Sequence, residues 1–182
     1  MTKPATIRTK RMVLRPFEFK DVNDVFDYAC DTEWSRFLPV ASPYTVRDAE
    51  AFVARQILKN WDEKPRFAIE FIEVVVGSVK LTIEAAHSIA SLRYSIARPC
   101  WNRGLMTEAL SAVVSWGFDD VGLEKISSRM DVENVGSWRV MEKIGMIREG
   151  TLRSHGINRG VRYDYHCYGI LRHEWKRQFA LA

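Results

Sequence analysis

The stretch Trp101-Asn102-Arg103-Gly104-Leu105-Met106-Thr107-Glu108-Ala109-Leu110 constrains this chain more than any other, because it sets a glycine turn directly before an amphipathic helix. Just upstream, Ser91 to Ala97 is rich in β-formers. A strand feeding such a turn leaves several backbone N–H groups unpaired at the positive end of a helix dipole, which suits a phosphorylated ligand. No Gly-Lys-Ser/Thr closes the turn, so it is not a P-loop, and its one glycine excludes the dinucleotide fingerprint. An ordinary strand-to-helix connection has the same local pattern, so the surrounding elements must decide.

Those elements predict one domain over residues 1–182, because 47% hydrophobic residues in 182 supply a sizeable core. No run approaches the ~18 apolar residues of a membrane span, and Met1-Thr2-Lys3-Pro4-Ala5 leads into charged residues rather than an apolar signal core. The expectation is a cytoplasmic protein without a membrane partner. Cys30, Cys100 and Cys167 are far apart and form no Cys-x-x-Cys pair, so free thiols are expected, with neither a disulfide framework nor a metal site. The net charge of +4 is spread among interleaved acids, which argues against direct nucleic-acid binding and leaves a surface that favours anionic small ligands.

Along the chain, Met12 to Pro16 reads as a strand, and Asp21 opens a helix with Val22, Val25, Phe26 and Ala29 at helical spacing. A second helix starts after Thr45 and carries Ala49, Phe52, Val53 and Ile57. The aromatic, proline-containing connection Trp34 to Tyr44 between them is either a loop packed on the core or a substrate wall. Arg66 to Ile72, Val74 to Glu84 and Ile89 to Ala97 form a meander. Gly104 to Phe118 is the central helix, with Met106, Ala109, Leu110 and Val113 on one stripe and Trp116 and Phe118 in the core. Lys125 to Val132 is a strand, and Val135 to Ile144 a helix capped by Asn134 and ended by Gly145. Strands near Met146 to Arg153 and Val161 to Leu171 finish the sheet, leaving Trp175-Lys176-Arg177 as a solvated tail. The predicted class is α/β (α+β): one mixed, largely antiparallel sheet of about seven strands with helices on both faces.

This order and these residues resemble the GNAT superfamily of N-acetyltransferases, and within it the subgroup that acetylates the N-terminal amino groups of ribosomal proteins. The resemblance spans nearly the whole chain. Thr9 to Pro16 is similar to the subgroup's opening strand, Trp101 to Leu110 and Asn134 to Met146 stand at the family spacing, and Gly160 to Tyr168 resembles the closing strand, with Asp164 in the expected place. Trp101, Gly104 and Met106 occupy the positions of the family's turn motif, and Met106 departs from its usual small residue.

The resemblance implies acetyl-coenzyme A as cosubstrate, with its diphosphate on the amides of Asn102, Arg103, Gly104, Leu105, Met106 and Thr107, and with Arg98 or Arg103 offsetting phosphate charge. It also implies that Ser91 to Ala97 splays from the next strand to admit the pantetheine, with the Ile96 N–H reaching the thioester oxygen and Ala97 beside it. A homodimer is a further implication of the resemblance. Where many members carry a catalytic tyrosine this chain has Met141, which makes Ser137 the candidate donor of a proton to the departing thiolate. Its hydroxyl could equally serve only the first helical turn, and Asn134 could cap, hold the pantetheine, or both. Candidate bases are His155, with Tyr94 and Glu84 acting through water, Glu84 from the acceptor side; a structural histidine would look the same.

An α-amine with a pKa of roughly 7.7 to 8.0 is partly neutral near pH 7.5, whereas lysine near 10.4 needs about 3 units of help. A chain without an obvious strong base therefore suits the N-terminal amine of a protein or peptide as acceptor, with Trp34, Phe37 and Tyr44 as an aromatic wall. A polyamine, amino acid or antibiotic is the alternative acceptor, and a catalytically weak acyl-coenzyme A binding module the alternative class. Cys100 and Cys167 have no base partner in the sequence, which favours direct transfer in a ternary complex over a covalent thiol route.

Overall fold

The computed structural model describes residues 4–179. Its strands are β1 (Ile7–Arg8), β2 (Val13–Arg15), β3 (Arg66–Phe71), β4 (Val74–Glu84), β5 (Ile89–Ile96), β6 (Lys125–Asp131), β7 (Ile147–Asn158) and β8 (Val161–Leu171). The helices are α1 (Val22–Ala29), α2 (Thr32–Ser35), α3 (Val46–Ile57), α4 (Leu105–Asp119), α5 (Val135–Lys143) and α6 (Arg172–Phe179). All eight strands join one sheet in the order β1-β2-β3-β4-β5-β6-β8-β7, and only the β5–β6 pair is parallel. The expected mixed sheet is present. The eighth strand is the two-residue β1, too short to leave a periodic signal.

Helices cover both faces, and adjacent residues of β3 show how. Arg66 lies over the Phe52 ring of α3 at 5.2 Å, while the Phe67 ring meets Trp116 of α4 at 5.3 Å. Successive strand residues point to opposite faces, so α3 and α4 lie on opposite sides of the sheet. On the α4 side Leu105, Met106, Ala109, Leu110, Val113, Val114 and Phe118 are buried, and each large apolar side chain there contributes about 1.5–3 kcal/mol.

Asp21 stands at the N-cap of α1, as expected, but its carboxylate makes no cap hydrogen bond; it is buried against the Arg15 guanidinium at 2.8 Å and accepts the Glu18 N–H, so it ties β2 to the helix start. Two local expectations change. The connection from Trp34 begins inside a short helix, α2, capped by Asp31. Trp175 belongs to α6, is 5% exposed and packs on the Phe118 ring at 6.3 Å, so it is core rather than tail. Thr45 and Asp48 form the capping box of α3, Asn134 caps α5 through the Ser137 N–H, and Gly145 ends it in a left-handed conformation.

Candidate active site

The site begins where two neighbouring strands part. β5 and β6 pair only from Ile89/Lys125 to Leu92/Ser128, although β5 continues to Ile96 and β6 to Asp131. β6 stays with β8 along its whole length, so the gap opens against β5. The carbonyls of Ala90 and Leu92 face β6 and accept the hydroxyls of Ser127 and Ser128. By the two-residue period, the backbone groups of Tyr94 and Ile96 face the same way, into the gap. There the Trp101 indole N–H takes the Ile96 carbonyl at 2.8 Å, and the Ile96 N–H is directed at the opening. The Ala97 N–H faces away, donating to the Val76 carbonyl at 2.7 Å, so it is not offered to the gap.

Gly77 holds this strand in place from the other side. A Cβ on Gly77 would stand 2.3 Å from the Ser95 carbonyl oxygen and 2.9 Å from the Ile96 Cα, so only glycine lets β4 press on β5 here. Gly104 is required for a different reason. Space around it is open, the nearest atom to an added Cβ being an Arg11 nitrogen at 3.6 Å, but its φ of +72° is left-handed. Arg11 clamps the same turn by pairing with Glu108 at 2.6 Å and donating to the Arg103 carbonyl at 2.9 Å.

A groove of about 580 Å³ runs from this gap over Asn102, Gly104, Leu105, Met106 and Thr107 to Asn134 and Ser137. Met106 is 6% exposed, so its side chain is turned into the core and leaves the helix N-terminus open. The cations on the groove are not the expected ones. Arg98 is paired with Asp31 at 2.6 Å, and Arg103 stacks on Phe71 at 5.1 Å. Arg36, Arg139 and Lys143 line it instead, against the carboxylates Glu33 and Glu133.

On the α3 side of the sheet lies a second cavity of about 600 Å³, and Trp34, Phe37, Leu38, Tyr94, Asn134 and Ser137 line both spaces. The two therefore meet at the β5–β6 gap. At the junction the Tyr94 and Ser137 hydroxyls are 2.6 Å apart, and Tyr94 Oη also lies 3.0 Å from the Ser137 carbonyl oxygen. Since Asn134 caps α5, the Ser137 hydroxyl is free of that task. Burial pushes the Tyr94 phenol well above its ordinary pKa, against a smaller lowering by Ser137, which favours its protonated form.

Tyr44 lines only the second cavity, where burial pushes its phenol up to about 12. Two expected residues lie elsewhere. Glu84 sits at the far end of β4, opposite Ile89, where its exposed carboxylate meets His87 at 3.0 Å. His155 is exposed on β7, edge-on to Tyr165 at 5.3 Å, and lines neither space. The sequence reading missed Arg55, Lys59, Arg66, Arg93, Arg129 and Asp131, which line the second cavity. Among the described residues Asp131 is its one carboxylate.

Residues 11–147 match the family described as Acetyltransferase (GNAT) domain. The chain belongs to the GNAT acetyltransferase family. Over 169 residues this GNAT protein is 30% identical to the uncharacterized N-acetyltransferase YnaD of Bacillus subtilis, covering 93% of this chain and 98% of the relative. Over 101 residues it is 29% identical to YdaF of the same organism, described as a candidate ribosomal N-acetyltransferase, with 55% of each chain covered. A GNAT-family acetyltransferase structure from Bacillus anthracis superposes with a TM-score of 0.84 at 28% identity, covering 93% of this chain and 99% of that one.

The GNAT protein is thus an acetyl-coenzyme A dependent N-acetyltransferase. The groove fits that cosubstrate, because it offers a strand edge with a directed N–H, a helix N-terminus behind a left-handed glycine, and three cations. Among the described residues no group of three His, Cys, Asp or Glu could hold a metal, and no helix is long and apolar enough to cross a membrane.

Proposed function

We propose that the GNAT enzyme acetylates the N-terminal α-amine of a peptide or protein, by direct transfer inside a ternary complex. The observation that carries this reading is the junction of the two cavities at Tyr94 and Ser137, one space for each substrate. Acetyl-coenzyme A supplies an activated acetyl thioester in the groove. The amides of Asn102 to Thr107, with Arg139 and Lys143, hold its phosphates, and Asn134 and the Ile96 N–H orient the thioester end. A donor at Ile96 acts on the transition state, because its hydrogen bond strengthens as the acetyl oxygen gains charge.

Ser137 gives its hydroxyl proton to the departing thiolate and regains one from solvent, and the Tyr94 hydroxyl, 2.6 Å from Ser137 Oγ, holds that hydroxyl at the gap. Asp131 receives the proton released by the amine. An α-amine near 7.7 to 8.0 is already partly neutral, and the cations around it disfavour the ammonium further, so a weak base suffices. The same cations repel a polyamine. The likeness to YdaF supports a ribosomal-protein type of acceptor. The free thiols agree with a cytoplasmic location and, Cys100 being buried and raised in pKa by that burial, with transfer that bypasses cysteine. The protein acts as one domain, and the exposed Ile147, Leu152, Ile157 and Val161 of the β7–β8 hairpin suit a homodimer.

Thiol release from acetyl-coenzyme A across an amine panel tests the reading. Free-N-terminus peptides should be turned over while the same peptides with a blocked N-terminus and a free lysine are not. Preference for spermidine or for the lysine side chain would overturn it.

A further inference from the structure

Arg66, Lys80 and Arg93 stand directly opposite one another across β3, β4 and β5. Like charges in register across a sheet destabilise it. With strands about 4.8 Å apart, the Cα atoms of Arg66 and Arg93 are about 10 Å apart on one face. The charged groups acting on Lys80 are Arg66, Lys59, Arg93 and Lys64, all cations. Arg66 is the most telling member. Its Nε is buried without a hydrogen-bond partner, its Nη1 donates a long hydrogen bond of 3.5 Å to the Ser78 hydroxyl, and its charge lies over the Phe52 ring. Burial, with Arg93 adding to it, pulls its pKa down to about 10.

Arg66, Arg93, Arg55 and Lys59 all face the second cavity, beneath Tyr94 and Ser95. A folded chain keeps a guanidinium with an orphaned, buried Nε and no carboxylate partner at a stability penalty, because one long hydrogen bond and a ring face only partly replace the water it has left. Such a group is set up for a ligand that brings the missing acceptor. A planar guanidinium matches a carboxylate or phosphate through two parallel hydrogen bonds, which a hydroxyl or amide cannot match.

We propose that Arg66, flanked by Arg93, is an anion subsite in the acceptor cavity, and that the acceptor is an amine bearing a carboxylate or phosphate near the group to be acetylated. This rests on the reading of that cavity as the acceptor site. The acceptor amine docks at the β5–β6 gap while its anionic group pairs with Arg66, which fixes the direction in which the substrate lies. In a peptide the anion is an acidic side chain close to the N-terminus.

The test compares kcat/KM for three peptides differing only near the N-terminus, acidic, amide and basic, with a small primary amine bearing a phosphomonoester, on wild type and Arg66→Gln. The acidic peptide should exceed its amide counterpart roughly tenfold or more, and Arg66→Gln should erase the preference. With the groove filled by coenzyme A, inorganic phosphate should bind wild type and lose that binding in Arg66→Gln, by calorimetry. Arg66→Met should raise Tm by about 2 °C, since it removes an unpaired buried charge; a structural arginine would lower it. Equal rates on acidic and amide peptides in wild type overturn the anion subsite and leave the peptide reading standing. Turnover of the phosphorylated amine alone, sensitive to Arg66→Gln, supports the subsite and overturns the peptide reading. Should Arg66→Gln fail to fold, Arg93→Gln must show the same loss of preference, and an intact preference there counts against the proposal.

Discussion

The groove and the acceptor cavity enclose nearly equal volumes, about 580 and 600 Å³, yet they are built from different material. The groove uses backbone: the Ile96 N–H, the turn at Gly104, the start of α4 and the capped start of α5. The cavity uses side chains drawn from α1, α3, β3, β5, β6 and the β7–β8 hairpin. Backbone sites demand a few residues with special geometry and tolerate most others. Side-chain sites set specificity and carry strain, here a row of cations with little acid to balance it. One region can therefore stay constant in chemistry while the other sets the acceptor.

If the groove is a backbone site, its most damaging change is the one that moves backbone. Gly77→Ala places a Cβ against the Ser95 carbonyl, and overpacking of this kind costs about 1–3 kcal/mol. Acetyl-coenzyme A affinity by calorimetry should fall by about tenfold or more, and unchanged affinity would detach β5 from cosubstrate binding. Ser137→Ala acts at the junction instead. It should lower kcat on the order of tenfold to a hundredfold with little change in either KM. Wild-type turnover from pH 6 to 9 would assign the hydroxyl to support of Tyr94 alone.

Asp131→Asn sharpens the cavity side. It should reduce kcat severalfold, most at low pH where fewer acceptor amines are neutral, and a uniform loss across the pH range would point to positioning rather than proton transfer. The smallest effect concerns the cationic row. Lys80 is lowered to about 8 in the folded protein from 10.5, burial first and the neighbouring cations next. Between those values the unfolded chain binds the extra proton, so this group makes stability rise with pH across that window and penalises the fold below it. Lys80→Met should flatten the rise in Tm from pH 8 to 10, and an unaltered slope would show that the row is not strained.

The same division explains what the amino-acid sequence disclosed. Gly104, Asn134 and Gly145 sit in consecutive, locally determined motifs, so the turn and both helix starts were readable in order, while the parting of β5 followed only from the family resemblance. Arg66, Lys80 and Arg93 lie 14 and 13 residues apart, and only the strand register brings them into one row. Asp131 is one of many acids until the gap beside β6 singles it out. Glu84 looked available because β4 leads toward the site at one end, but its register with Ile89 puts it at the other. His155 suffered the opposite error. Its neighbour Gly156 lies under the Tyr163 ring, with an added Cβ at 2.3 Å, and the β7–β8 ladder is irregular from Leu152 to Gly156, so side-chain direction there could not be read from alternation. Trp175 was legible only as an apolar residue near a charged end, until Phe118 supplied its partner.

Separability of the two spaces is the central claim, and initial rates over both substrate concentrations test it directly in two variants. Gly104→Val forces a β-branched residue to a φ of +72° at the groove, and Tyr44→Ala opens a wall that only the acceptor cavity has. Gly104→Val should raise KM for acetyl-coenzyme A and leave that for the acceptor peptide within about twofold, while Tyr44→Ala should do the reverse. If both constants rise together in either variant while the protein stays folded, the two regions are one site and the account is wrong.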